Sequence, residues 1–163
     1  MNNEINNFIK WALDNKWQLI TKNDDEILTL NVKILNRYKN LPKEYLSFLQ
    51  KVKQGISPNE KSWFICEDEF NDTSGIAFSW NEFESISLEA AEDDEEWSSD
   101  ITEWWDKHIP IVMSVENGYT FYAIDLSNGA VVKGTEPEFE ETFAVASHFG
   151  EFLQKIREGT IRF

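Results

Sequence analysis

The chain has 163 residues and a mass of 19.1 kDa, a size at which one hydrophobic core forms without metal or disulfide staples. Its 41% hydrophobic and 14% aromatic content, with 12 Phe and 7 Trp, excludes a disordered chain, and its single cysteine, Cys66, excludes an internal disulfide and a cysteine zinc cage. The formal net charge is −15; residues 1–60 carry nine basic and seven acidic groups, so the remaining −17 falls on residues 61–163. A field of that sign opposes binding to nucleic acid or anionic lipid and favours a cationic partner, although acidic surfaces also serve solubility alone.

No uncharged apolar run approaches the ~18 residues of a membrane span. Met1-Asn2-Asn3-Glu4 lacks the basic and apolar regions of a signal peptide, so a soluble cytoplasmic protein is expected. In residues 3–16, Ile5, Phe8, Ile9, Ala12 and Leu13 recur at helical spacing with Glu4 in the first turn, which predicts an amphipathic helix. Asp24, Asp25 and Glu26 open a second candidate helix through Ile27, Leu28, Ile34 and Leu35, where Thr29, Asn31 and Val32 also permit an extended segment. Leu41-Pro42 ends it, and Pro42 suits the first turn of a helix over about 43–53. Tyr45, Phe48, Leu49 and Val52 share one face of that helix, and Gly55 is its expected left-handed stop.

Beyond this point the period changes from helical to alternating. Residues 63–66 and 75–78 are short apolar runs suited to strands, separated by the polar turn at 71–74. Residues 109–115 and 119–126 flank Glu116-Asn117-Gly118, and Ser127-Asn128-Gly129 leads into Ala130, Val131 and Val132. Asn-Gly supplies the positive backbone angles of tight turns, so these runs predict an antiparallel β-meander. Ser147 caps a closing helix with Phe149, Phe152, Leu153 and Ile156, ended by Gly159. Helices at both ends of a meander give a single α+β domain over 1–163, with no repeat or linker to divide it.

Three blocks of this pattern carry a family likeness. Leu41-Pro42-Lys43-Glu44-Tyr45-Leu46-Ser47-Phe48-Leu49 resembles the LPxxYxxFL helix start of the SUKH superfamily, the Smi/Knr-type domains. Trp105 through Ile109-Pro110-Ile111, Gly118-Tyr119 and Ile124-Asp125-Leu126-Ser127-Asn128-Gly129-Ala130-Val131 is similar to that family's strands. Ala146-Ser147-His148-Phe149-Gly150-Glu151-Phe152-Leu153 resembles its closing helix. The blocks stand in the family's order across a motif-bearing core of 41–157, preceded by a helical region at 1–40. Gln54-Gly55 departs from the Asn-Gly usual after the first family helix, and His148 replaces a usual Ser. The resemblance implies a domain without catalytic residues, most often a bacterial immunity protein that binds and neutralises a cognate toxin, frequently a nuclease. Some relatives serve instead as regulatory scaffolds.

The residues offer little competing chemistry. His108 and His148 lie outside any triad context and lack metal-ligand spacing, and no phosphate-binding glycine motif is present. No cofactor, metal or catalytic residue is therefore expected. The functional signal lies in 89–106, where nine acids interleave with Trp97, Trp104 and Trp105. With Asp100 as a helix cap, Ile101, Trp104 and Trp105 face the core, and Asp93, Asp94, Glu95 and Glu96 form a solvated turn. The stretch reads either as core tryptophans beside an exposed acidic loop or as a binding surface in which Trp97 anchors into a partner and the surrounding acids meet its Lys and Arg. Glu67, Asp68, Glu69 and Asp72 form the competing acidic patch. The expected partner is a toxin with a basic surface, bound one to one by a monomer; direct contact with nucleic acid or membrane is not expected.

Overall fold

Successive residues of a strand point to opposite faces of its sheet, and along the central strands of this chain both faces are apolar. A sheet of that kind needs a helical layer on each side. The computed structural model, which describes residues 2–163, has this arrangement. Its first elements are α1 (Asn2–Asp14), β1 (Gln18–Thr21), α2 (Val32–Arg37), α3 (Lys43–Lys51), β2 (Val52–Ile56) and β3 (Ser62–Phe64). They are followed by α4 (Glu67–Phe70), α5 (Glu82–Ala90) and α6 (Glu95–Asp106). Strands β4 (His108–Ser114), β5 (Thr120–Asp125), β6 (Val131–Thr135) and β7 (Phe143–Ala146) then lead into α7 (Phe149–Arg157). The seven strands pair antiparallel in chain order, so the α+β meander expected from the sequence is the centre of a larger sheet.

The strand register sorts the aromatic residues onto the two faces. Phe64, Val112 and Tyr122 lie in one cross-strand row, and Trp63, Met113 and Phe121 lie in the adjacent row on the opposite face. On the first face Phe8 of α1, Phe48 of α3 and Phe152 of α7 pack on Phe64 or Tyr122 at centroid distances of 5.4, 4.9 and 5.2 Å. On the second, Trp105 of α6 lies 4.8 Å from Phe121, and Phe83 of α5 stacks on Phe139 at 4.8 Å. Gly134 continues the Phe121 row, and a Cβ there would lie 2.5 Å from both the Phe121 ring and the Phe139 carbonyl, so only glycine lets these aromatic groups close over β6. Among the described residues no helix is long and apolar enough to cross a membrane.

Several local expectations need correction. Leu13 is 54% exposed, so the buried stripe of α1 runs through Ile5, Phe8 and Ala12. The segment at 24–31 forms no helix, and Ile27 is 81% exposed. Its backbone is held by distant side chains instead: Gln50 bonds to Leu28 N and Glu26 O, and Asn71 bonds to Asn31 N and Thr29 O. Gly55 lies within β2 opposite Leu19, because the chain passes from α3 directly into the sheet without a turn. Residues 75–78 form a loop, from which Phe78 packs on Trp63. At α7 the cap is His148, whose side chain accepts from Glu151 N, while Ser147 stands outside and donates to the Glu151 carboxylate. Gly118, Gly129 and Gly159 do adopt the positive φ that their turns require.

Candidate functional site

The acid-rich stretch at 89–106 folds as the end of α5, a short turn through Asp93 and Asp94, and the whole of α6. Its cap is Asp94, whose Oδ1 accepts from Trp97 N at 2.9 Å; Asp100, expected as the cap, lies inside the helix. Capping six residues earlier puts Glu95 and Glu96 in the first turn, where the helix dipole favours anions. Ser98 Oγ donates to Ala91 O at 2.8 Å and ties this turn to the end of α5. Asp93, Asp94, Glu95 and Glu96 are all exposed, and Trp97 is 48% exposed beside them. Further along the helix, Ile101 and Trp105 are buried and Trp104 is half-buried, as the spacing predicted.

A network that the sequence reading missed positions this helix. Arg37, at the end of α2, donates through both Nη atoms to Glu84 of α5 at 2.8 and 2.7 Å, and through Nε to Asp106 at the end of α6 at 2.8 Å. Its guanidinium also lies over the rings of Tyr38 and Trp80, and Tyr38 OH donates to Trp105 O. His108 stacks on Trp104 at 3.8 Å with Nδ1 2.7 Å from Trp104 O; burial draws its pKa below the ordinary value, which suits a structural side chain.

The second acidic group is used mostly inside the fold. Glu67 takes Lys22 Nζ at 3.0 Å and Thr29 N, and Asp68 is half-buried. Glu69 is only 5% exposed and accepts Cys66 N at 2.9 Å as the reciprocal half of the α4 cap. Of the four, Asp72 alone is exposed. Burial pushes the pKa of Glu69 from the ordinary 4.5 to about 7, against the lowering effect of the Cys66 N–H. The folded chain therefore holds this proton more tightly than the unfolded one. The associated stability is complete below about pH 4.5 and is lost as the pH rises through about 7. Glu69→Gln keeps the acceptor and removes the titration, so its thermal stability should gain on the parent as the pH rises from ~5 to ~8, by on the order of 2 kcal/mol. A gain independent of pH would assign the titration to another group.

One surface feature joins α6 to residues far along the chain. A cleft of about 480 Å³ is lined by Ser87, Ala90, Trp97, Pro137, Glu138, Glu140 and Glu141. Glu140 Oε2 accepts from Ser87 Oγ at 2.8 Å and from Trp105 Nε1 at 3.0 Å, so the β6–β7 loop is latched onto both α5 and α6. The acidic run Glu136-Pro137-Glu138-Phe139-Glu140-Glu141 was the available sequence signal for this loop; Phe139 is buried, and the neighbouring Glu140 carboxylate reaches α6 at Trp105, while that of Glu136 accepts from Tyr119 N. Among the described residues no three His, Cys, Asp or Glu side chains converge as a metal ion would need.

The model of the SMI1 / KNR4 family (SUKH-1) matches residues 31–155 of this chain. The chain belongs to the SUKH-1 family. The match spans α2 to α7, including all of α6 and the β6–β7 loop, while α1 and β1 precede it. No curated protein matches this SUKH-1 chain.

Proposed function

We propose that this SUKH-1 protein is a non-catalytic immunity protein that binds a cognate toxin, a nuclease with a basic phosphate-binding surface, and neutralises it by covering that surface. Family membership fits an immunity-type role. The observation that carries the finer reading is the exposed acidic turn of Asp93, Asp94, Glu95 and Glu96 beside a half-exposed Trp97, within a segment whose net charge is −17. A nuclease must present cations to phosphate, and an acidic protein can be steered to that surface in place of nucleic acid. The aromatic ring supplies an anchor that slows release.

Stopped-flow binding to the toxin encoded beside this chain tests both parts. Salt should slow association, because screening contracts from ~10 Å at 0.1 M to ~3 Å at 1 M. Asp93→Asn, Asp94→Asn, Glu95→Gln and Glu96→Gln together should slow association at low salt by about tenfold; Asn retains the cap at 94, so the helix should persist. Trp97→Ala should instead speed dissociation. If the fourfold neutral variant associates at the parental rate, this turn does not steer the partner. If the parent chain gives no protection when co-expressed with the toxin, the immunity reading fails and a regulatory role takes its place.

A further inference from the structure

The cleft beside Trp97 differs from the acidic turn in having an apolar wall. Trp97, Ala90 and Pro137 supply that wall, and three carboxylates surround it. Glu140 is half-buried and is bonded by neutral donors only, the Ser87 hydroxyl and the Trp105 indole N–H. Glu138 and Glu141 are exposed at the rim, where Glu141 N donates to Glu138 O at 3.1 Å, and the neighbouring Glu138 carboxylate pushes the pKa of Glu141 upward. Among the described residues no Lys, Arg or His comes within ion-pairing distance of any of the three. Elsewhere the fold pairs the carboxylates that bind helices to one another or to the sheet edge with cations, as Arg37 does for the buried Glu84 and Lys22 for the half-buried Glu67. Carboxylates gathered without a cation repel one another, and a cation placed among them relieves that repulsion.

We infer that this cleft receives an arginine side chain of the partner protein, with the guanidinium plane against Trp97 and its N–H groups forked between Glu138 and Glu141. The inference deepens the proposed function and rests on it for the nature of the partner. The apolar wall says that the occupant has a flat or aliphatic part, and the carboxylates say that it is a cation. Arginine meets both conditions better than lysine: its guanidinium is planar, weakly hydrated, stacks on indole and bonds carboxylates in pairs. A volume of about 480 Å³ exceeds what one guanidinium fills, so the arginine enters with its neighbours on a loop.

The test uses the whole chain and two peptides of equal charge, hexa-arginine and hexalysine. Titrations are followed by the indole N–H signals in NMR, with Trp97 assigned from Trp97→Phe. Hexa-arginine should shift the Trp97 signal saturably. Hexalysine should bind about threefold or more weakly, and Glu138→Gln with Glu141→Gln should weaken hexa-arginine by about tenfold at an unchanged melting temperature. The fourfold neutral variant at 93–96 should bind hexa-arginine within about twofold of the parent, because its charges lie outside the cleft. Equal binding of the two peptides, or no effect of the 138/141 pair, would overturn the arginine site even in a chain that protects against its toxin. An equal loss from the 93–96 variant would also overturn it, since general acidity would then account for binding. Arginine-selective binding at Trp97 in a chain that protects against no toxin would uphold the site and defeat only the immunity reading.

Discussion

Phe48→Ala should destabilise the fold by about 3–5 kcal/mol, among the largest effects available to a single substitution in this chain. Phe48 has no exposed surface, and its ring lies 4.9 Å from Phe64, 5.2 Å from Phe149 and 6.2 Å from Phe8. It is therefore the point where α1, α3, α7 and the sheet meet. Truncation removes its transfer free energy and leaves a cavity among rings that cannot collapse together, because each is held by a different element. At roughly 2–4 °C per kcal/mol for a domain of this size, the melting temperature should fall by about 10 °C. Leu13→Ala, on the exposed side of α1, should change the stability by less than about 0.5 kcal/mol. Equal melting temperatures for Phe48→Ala and the parent would mean that the three helices do not share this core.

Arg37→Ala should cost a similar 3–5 kcal/mol for an electrostatic reason. The Glu84 side chain is only 6% exposed and both of its oxygens are taken by Arg37, so removing the guanidinium strands a carboxylate away from water. Most of that loss belongs to the orphaned charge rather than to the bond itself. Arg37→Met with Glu84→Leu should accordingly recover a large part of it, since well-packed apolar replacements of buried pairs are often neutral. A double variant no more stable than Arg37→Ala would show that the guanidinium acts chiefly through its packing on Tyr38 and Trp80. Urea unfolding of the three chains measures this. Because Arg37 also bonds Asp106 at the end of α6, the single variant should loosen the helix that carries Trp97 and weaken the proposed partner binding alongside stability.

What the chain's own order determines here is whatever depends on neighbours a few residues apart. The helical spacing around Phe8 and Phe48, the Asn-Gly turns at Gly118 and Gly129, and the Phe149–Phe152–Ile156 stripe are local patterns, and the fold realises each of them. The family blocks are legible for the same reason, because each is a short string, and the family match runs through all three. The acidic turn at 93–96 and the half-exposed Trp97 follow from a cap and a helical period, although the cap fell at Asp94 rather than Asp100. Tertiary structure alone decided the rest. Edge strands β1 and β7 are four residues long, with mostly exposed side chains, and exist because β2 and β6 offer them backbone partners. Glu67 and Glu69 read as surface acids until Lys22, Thr29 and the Cys66 N–H, the first two some 40 residues away, claim them. The cleft joins Trp97 to Glu138, Glu140 and Glu141 across a sequence gap that the packing of Phe139 on Phe83 and the bonds of Glu140 to Ser87 and Trp105 close, and no pattern confined to either segment can express a contact whose energy belongs to both.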